Sequence, residues 1–177
     1  MRIISGRLKG RLFESPGGHK THPMGERVKS ALFNSLGDIS GLTVLDTYAG
    51  TGALSFEALS RGAKHATMIE LDPAAVRTLQ ANIQSLGLSD AASLVPGNCV
   101  GWSNRSTDQE FDIVFCDPPY DAVLITTIAK LARHVSREGI LVLSWPRHVG
   151  LEPIPGFEAI RSQNYAAALL VFYKRIV

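Results

Sequence analysis

Apolar positions along the chain follow two alternating periods. Short, β-branched apolar runs predict strands at Thr43–Thr47, Ala66–Leu71, Ala92–Val95, Asp112–Asp117, Gly139–Ser144, Glu158–Arg161 and Ala168–Lys174. Between them, apolar residues recur at three- and four-residue spacing, predicting helices over Ala53–Ser60, Ala74–Leu86 and Ala122–His134. Asp72 followed by Pro73 suits a capped first turn, and Gly62 and Gly87 stand where helices stop. Several strand runs are continuously apolar, as strands covered on both faces are. This alternation is that of an α/β fold around a mainly parallel sheet. Only Ser162–Ala167 separate the last two strands, too few for a parallel crossover, so the pair forms a hairpin and the last strand runs antiparallel. Ahead of this body, RIISGRLKGRLFE reads as two short strands about a glycine-containing turn. A loop rich in Gly, Pro and His follows. Glu26–Leu36 then reads as a helix with Val28, Leu32 and Phe33 on one stripe, closed by Gly37.

A length of 177 residues fits one domain over 38–177 with a small appendage over 1–37. No run of 18 apolar residues is present and the N-terminus interleaves charges with apolar residues, so a soluble, cytoplasmic protein is expected. Two cysteines, Cys99 and Cys116, are too few for a disulfide framework or a zinc cage. Charge is distributed unevenly. Arg2, Arg7, Lys9, Arg11, Lys20, Arg27 and Lys29 against Glu14 and Glu26 leave +5 in the first 36 residues, on a body of −3. A basic segment on a mildly acidic body is the asymmetry of a polyanion-binding arm, with Arg7, Lys9, Arg11, Arg27 and Lys29 as the candidate phosphate contacts.

Three constellations carry chemistry. In VLDTYAGTG, a strand ends in Asp46 and a tight turn through Tyr48, Gly50 and Gly52 opens a helix. Glycines there admit positive φ and a close ligand approach. A dinucleotide turn would carry a third glycine where Ser55 stands, and Asp46 would repel a pyrophosphate but suits a cationic amino-acid tail. Glu70, ending the next strand, is placed to accept from ribose hydroxyls; Asp72 competes for that role but fits a helix cap better. Finally, Asp117-Pro118-Pro119-Tyr120 follows the apolar run FDIVFC. Two prolines fix that turn, so Asp117 and the Pro118 carbonyl can accept both hydrogens of an exocyclic amine while Tyr120 stacks on its ring.

Together these residues resemble the class I S-adenosylmethionine-dependent methyltransferases, among which the DPPY tetrad marks enzymes acting on exocyclic or amide nitrogens. The hairpin Arg2-Ile3-Ile4 with Gly6, Gly10 and Arg11, then Pro23, Arg27-Val28-Lys29 and Leu32-Phe33-Asn34, narrow the likeness to the bacterial 16S rRNA guanine-N2 methyltransferase D family over nearly the whole chain. The resemblance implies a Rossmann-like seven-stranded sheet of order 3-2-1-4-5-7-6, S-adenosylmethionine as cofactor, and N2 of a guanine in 16S rRNA as acceptor. It further implies Asp117, Pro118 and Tyr120 as catalytic residues, with Asp46, Tyr48, Gly50, Gly52, Glu70, Leu71 and Asn98 around the cofactor. The partner would be 16S RNA or a small-subunit assembly particle, met by a monomer without metal or membrane. Departures from the family pattern are His22-Pro23-Met24 for Arg-Pro-Thr, Tyr165-Ala166 for Tyr-Gly, and Asn98 where many methyltransferases place an aspartate. The alternatives are a DNA adenine-N6 methyltransferase and a non-catalytic RNA-binding assembly factor; Asp117 disfavours a protein-glutamine methyltransferase and Ser55 a nicotinamide dehydrogenase. Cys99 (in a loop), Cys116, His19, His22, Trp102 and Trp145 are assigned no catalytic role.

Overall fold

The computed structural model describes residues 1–17, 24–119, 125–150, 153–165 and 168–177. In chain order its elements are α1 (Glu26–Leu36), β1 (Thr43–Asp46), α2 (Ala53–Ser60), β2 (His65–Glu70), α3 (Pro73–Ser85), β3 (Ala92–Pro96), α4 (Cys99–Arg105), β4 (Phe111–Cys116), α5 (Ile125–Ala132), β5 (Val135–Pro146), β6 (Phe157–Tyr165) and β7 (Ala168–Arg175). The strands form one sheet in the order β3-β2-β1-β4-β5-β7-β6. β1 to β5 are parallel, and β7 lies antiparallel between β5 and β6. Successive residues alternate between two buried layers, Val44, Ile113 and Val142 facing one and Leu45, Val114 and Leu141 the other. Both faces are therefore covered, which is why the runs read as continuously apolar.

The expected elements are corrected in four places. β5 begins at Val135 rather than Gly139, because the polar stretch Ser136–Glu138 forms an irregularity with Glu138 at φ 65° and a shifted pairing with β4. β6 and β7 are longer than expected and approach to within residues 166–167; β6 is an edge strand, exposed from Glu158 to Ser162, and so lacks a buried-face signature. α4 was not anticipated, and it converts Cys99 from a loop residue to the first residue of a helix. The N-terminal hairpin is reduced to a single bridge between Arg2 and Leu12. Its arms still bond across, the Ile3 amide to the Arg11 carbonyl and the Phe13 amide to the Met1 carbonyl (both 3.0 Å), while other amides bond to α2: Ile4 and Ser5 donate to Glu57, Arg7 to the Ser60 carbonyl, and Leu8 to the Ser60 hydroxyl. Gly6, at φ 81°, passes so close that a Cβ would lie 1.9 Å from the Ser60 oxygen. Of the α5 expectation, residues 122–124 lie outside the described residues, as do Tyr120, His19, His22, Pro23 and Ala166.

All eight residues of α2 are buried, held between the sheet and the N-terminal segment. Ile3, Phe13, Leu32 and Phe33 of that segment share one apolar cluster with Val44, Phe56 and Phe115, so residues 1–36 complete the core of the body. At the centre lies the fully buried Glu57 carboxylate, which accepts from the Ile4 and Ser5 amides (2.8 and 3.0 Å) and from Arg61 Nε (2.9 Å), with Lys29 Nζ at 3.4 Å. Lys29 was expected to contact phosphate. It is instead 1% exposed, donates to the Arg2 carbonyl as well, and its pKa is lowered, chiefly by burial. Stripping a buried charge of its partner costs about 3–5 kcal/mol. Glu57→Ala is therefore expected to lower stability by about that amount in urea titration. Lys29→Met should cost clearly less, because Glu57 keeps its amide and Arg61 partners; equal losses would refute this account.

Candidate active site

The carboxyl ends of β1, β2 and β4 open into a cavity of about 1060 Å³. The strand order reverses between β1 and β4, so the turn after Asp46 and the turn after Cys116 meet in one crevice. Its wall includes the carboxylates Asp46, Glu70, Asp72 and Asp117, and no Lys, Arg or His among the described residues. Such a wall attracts cations and repels phosphates.

On one side, Glu70 organises the glycine loop. Its Oε2 accepts from the Gly50 amide and its Oε1 from the Asp72 amide, both at 2.7 Å. Each oxygen keeps a lone pair, enough for the two hydroxyls of a ribose. Asp72 caps α3 by accepting from the Ala74 and Ala75 amides, as expected. Leu71, 65% exposed, offers an apolar face at the cavity wall against which a purine can lie. Gly50 lines the cavity, whereas Gly52 turns inward: at φ 78°, a Cβ there would meet the Phe56 and Leu79 side chains at 2.5 and 2.6 Å. Gly52 thus also serves the turn and the core. Asn98 differs from an aspartate in what it can offer a ligand. Its Oδ1 caps α4 through the Val100 and Gly101 amides (2.9 and 3.1 Å), which leaves the amide NH₂ rather than the carbonyl to meet a ligand.

Asp46 is 1% exposed. Its Oδ2 accepts from Ser55 Oγ at 2.8 Å, while Oδ1 is buried without a hydrogen-bond partner among the described residues. Burial, reinforced by the nearby charges of Asp117 and Glu70, pushes its carboxyl up to about 7 against the Ser55 hydrogen bond. The Asp46 carboxylate, the lone pairs left on Glu70 and exposed Leu71 would fit the ammonium, ribose and adenine of S-adenosylmethionine, and the acidic wall would suit its sulfonium. Tyr48 lies between these residues, its hydroxyl bonded to the Cys99 thiol. Burial holds the Cys99 and Cys116 thiols above the ordinary range, so neither presents a thiolate. Trp102 is buried against Phe111 and His134, and Trp145 donates to the Val149 carbonyl.

On the other side, Asp117 is half-buried beside buried Pro118, and burial raises its carboxyl while a hydrogen bond from Ser144 lowers it. Met24, Val28, Tyr165 and Leu170 complete this half of the wall with apolar surface. Sequence reasoning missed Ser144 and the bond from Ser55 to Asp46; the pairing of β4 with β5 places Ser144 beside Asp117, whereas Ser55 reaches Asp46 from α2. Tyr120 lies outside the described residues.

The basic residues separate. Arg27 is exposed on the first turn of α1, between the wall residues Gly25 and Val28. Arg7 and Lys9 are exposed where the chain crosses the last residue of α2, and Arg11 bonds the carbonyl of Ser85, the last residue of α3. Both helices start at the cavity, so at 1.5 Å per residue their far ends lie roughly 12 to 20 Å away.

The whole chain has recognisable relatives. The family model described as "Conserved hypothetical protein 95" matches residues 1–174. Ribosomal RNA small subunit methyltransferase D of Escherichia coli is 32% identical over 171 residues, 94% of this chain and 85% of that protein. The protein of the same name from Haemophilus influenzae is 39% identical over 123 residues, 68% of this chain and 64% of its own. Among solved structures, the Escherichia coli protein yhhF superposes with a TM-score of 0.87 at 32% identity, covering 99% of this chain and 97% of that one.

If Asp46 receives the cationic tail, it must be ionised to bind it. Because its carboxyl is raised to about 7, affinity for S-adenosylmethionine is expected to fall as pH drops from 8 to 6. The limiting slope is about tenfold per pH unit for one linked proton. Calorimetry across that range checks it; Asp46→Asn should bind more weakly and lose the slope, and a flat wild-type profile would refute the role.

Proposed function

Because the chain belongs to the Conserved hypothetical protein 95 family, alongside the ribosomal RNA small subunit methyltransferase D proteins, we propose that it methylates the exocyclic N2 amine of a guanine in 16S rRNA. The observation that carries this reading is the convergence of Asp117-Pro118 with Asp46 and Glu70 on one acidic cavity.

S-Adenosylmethionine, the donor of class I methyltransferases, supplies a methyl group on a cationic sulfur, and the S–C electron pair stays with sulfur as the amine lone pair forms the N–C bond. Asp46, Glu70 and Leu71 hold that donor on one side. On the other, Asp117 and the Pro118 carbonyl accept the two amine hydrogens. These bonds draw the nitrogen lone pair out of ring conjugation and stabilise the positive charge that builds on nitrogen. Asp117 then takes the surplus proton of the methylated amine and passes it to solvent. The acidic wall keeps phosphates out, so a neutral base enters alone, unpaired or flipped.

Tritiated donor and undermethylated small-subunit RNA test the reading: label is expected in N2-methylguanosine on nucleoside analysis. Label in N6-methyladenosine, or none, would overturn it. Asp117→Ala is expected to lower turnover by about 10² or more, the scale for loss of one preorganised group, with donor affinity within a few-fold of wild type.

Placement of the basic residues predicts a second contrast. Arg27→Ala should weaken methylation of both a short target stem-loop and full 16S RNA, because Arg27 stands at the cavity. Arg7→Ala, Lys9→Ala and Arg11→Ala together should weaken only the long substrate and flatten its salt dependence, by about 0.7–0.9 log units for each phosphate no longer neutralised. Equal effects on both RNAs would place the N-terminal tip beside the target base, against the geometry above.

A further inference from the structure

We propose that Ser144 is a positioning residue for methyl transfer, fixing one oxygen of the Asp117 carboxylate so that the other faces the acceptor amine. The proposal rests on the reading of Asp117 given above. Parallel pairing of Cys116 with Leu143 carries the chain on to Asp117, just past the end of β4, and Ser144, two residues before β5 ends, side by side. Both residues line the cavity. Ser144 is buried to 3% exposure, and its hydroxyl donates to the Asp117 carboxylate. The donor half repeats the device, with Ser55 holding Oδ2 of Asp46 while Oδ1 is buried without a hydrogen-bond partner among the described residues. Asp46 and Asp117 thus each have one oxygen tied to a buried serine.

The bond also sets the protonation state. A carboxylate accepts the amine hydrogens; a carboxylic acid would present its own proton to them. Burial works toward the acid form and the Ser144 hydrogen bond against it. The other groups facing Asp117 give no help: Asp46 across β1 is a like charge, and Cys116 on its own strand is a buried thiol. Glu70 on β2 adds negative charge behind Asp46, and no cation lines the cavity among the described residues.

Ser144→Ala is therefore expected to lower kcat/KM on undermethylated small-subunit RNA at pH 7 by about tenfold, the low end of a general-base-sized effect. The acid limb of its pH profile should move up, so that much of the loss is recovered by pH 8.5. Ser144→Thr should retain the wild-type profile, and Ser144→Cys, a weaker donor of similar size, should fall between. Donor affinity by calorimetry and melting temperature should stay near wild type. Independently of turnover, the carboxyl carbon of Asp117 in ¹³C-aspartate-labelled Ser144→Cys or Ser144→Ala should titrate at higher pH than in the wild type. An unshifted carbon titration, or a loss equal at every pH, would overturn the assignment. If Asp117→Ala itself remains active, the underlying reading of Asp117 fails instead, and Ser144 falls with it.

Discussion

The buried Glu57 carboxylate is the interaction on which the remainder of the molecule depends. It sits on a helix with no exposed face, so every polar group there has to find a partner within the protein. Glu57 finds them in the N-terminal segment and in Lys29, while Ser55, half a turn earlier, reaches the other way to Asp46. One helix thereby joins the N-terminal segment to the cofactor side of the cavity. The cation–π contact of Arg61 with Phe33, and the packing of Phe33 on Phe115, extend the same connection through α1 to β4, whose end carries Asp117.

Charge is segregated by function. The cavity wall holds carboxylates alone among its charged groups in the described residues, and the exposed cations Arg7, Lys9 and Arg27 stand outside it. For an enzyme acting on a polyanion this division is economical. The exterior attracts the backbone, and the interior favours a cationic donor and admits only the uncharged base. Acids that hold a sulfonium donor would hold its neutral thioether product less well, which would favour turnover.

Much of this was legible before the structure. Strand order, the antiparallel finish and the meeting of Asp46 with Asp117 followed from runs, spacing and family resemblance, because parallel strands buried on both faces leave a strong signal. Lys29 was not legible: its burial depends on Glu57, 28 residues on, and a cation in a basic segment looks like its neighbours. α4 was hidden because CVGWSNR carries a glycine and several polar residues and is stabilised from outside itself, by the Asn98 cap. Ser144 was invisible as a chemical group because, in sequence, it is only the end of an apolar strand; neighbourhood across the sheet gives it meaning.

The long-range bonding of the N-terminal segment has a kinetic consequence. Its anchors are distant in sequence: Glu57 and Ser60 lie 52 or 53 residues from the amides they hold, and Asn82 lies 68 residues from Glu14, whose amide and carbonyl it brackets. The segment leaves the ribosome ahead of α2 and α3 and has nothing to pair with until they have followed it. α1 waits longer still, because Phe33 needs Phe115, and β1 cannot complete its pairing until β4 arrives. Loop closure over such spans is costly before any contact rewards it. A segment synthesised ahead of its partners is thus among the last to find its place, and until then α2 keeps a charged side chain and two serines turned toward water.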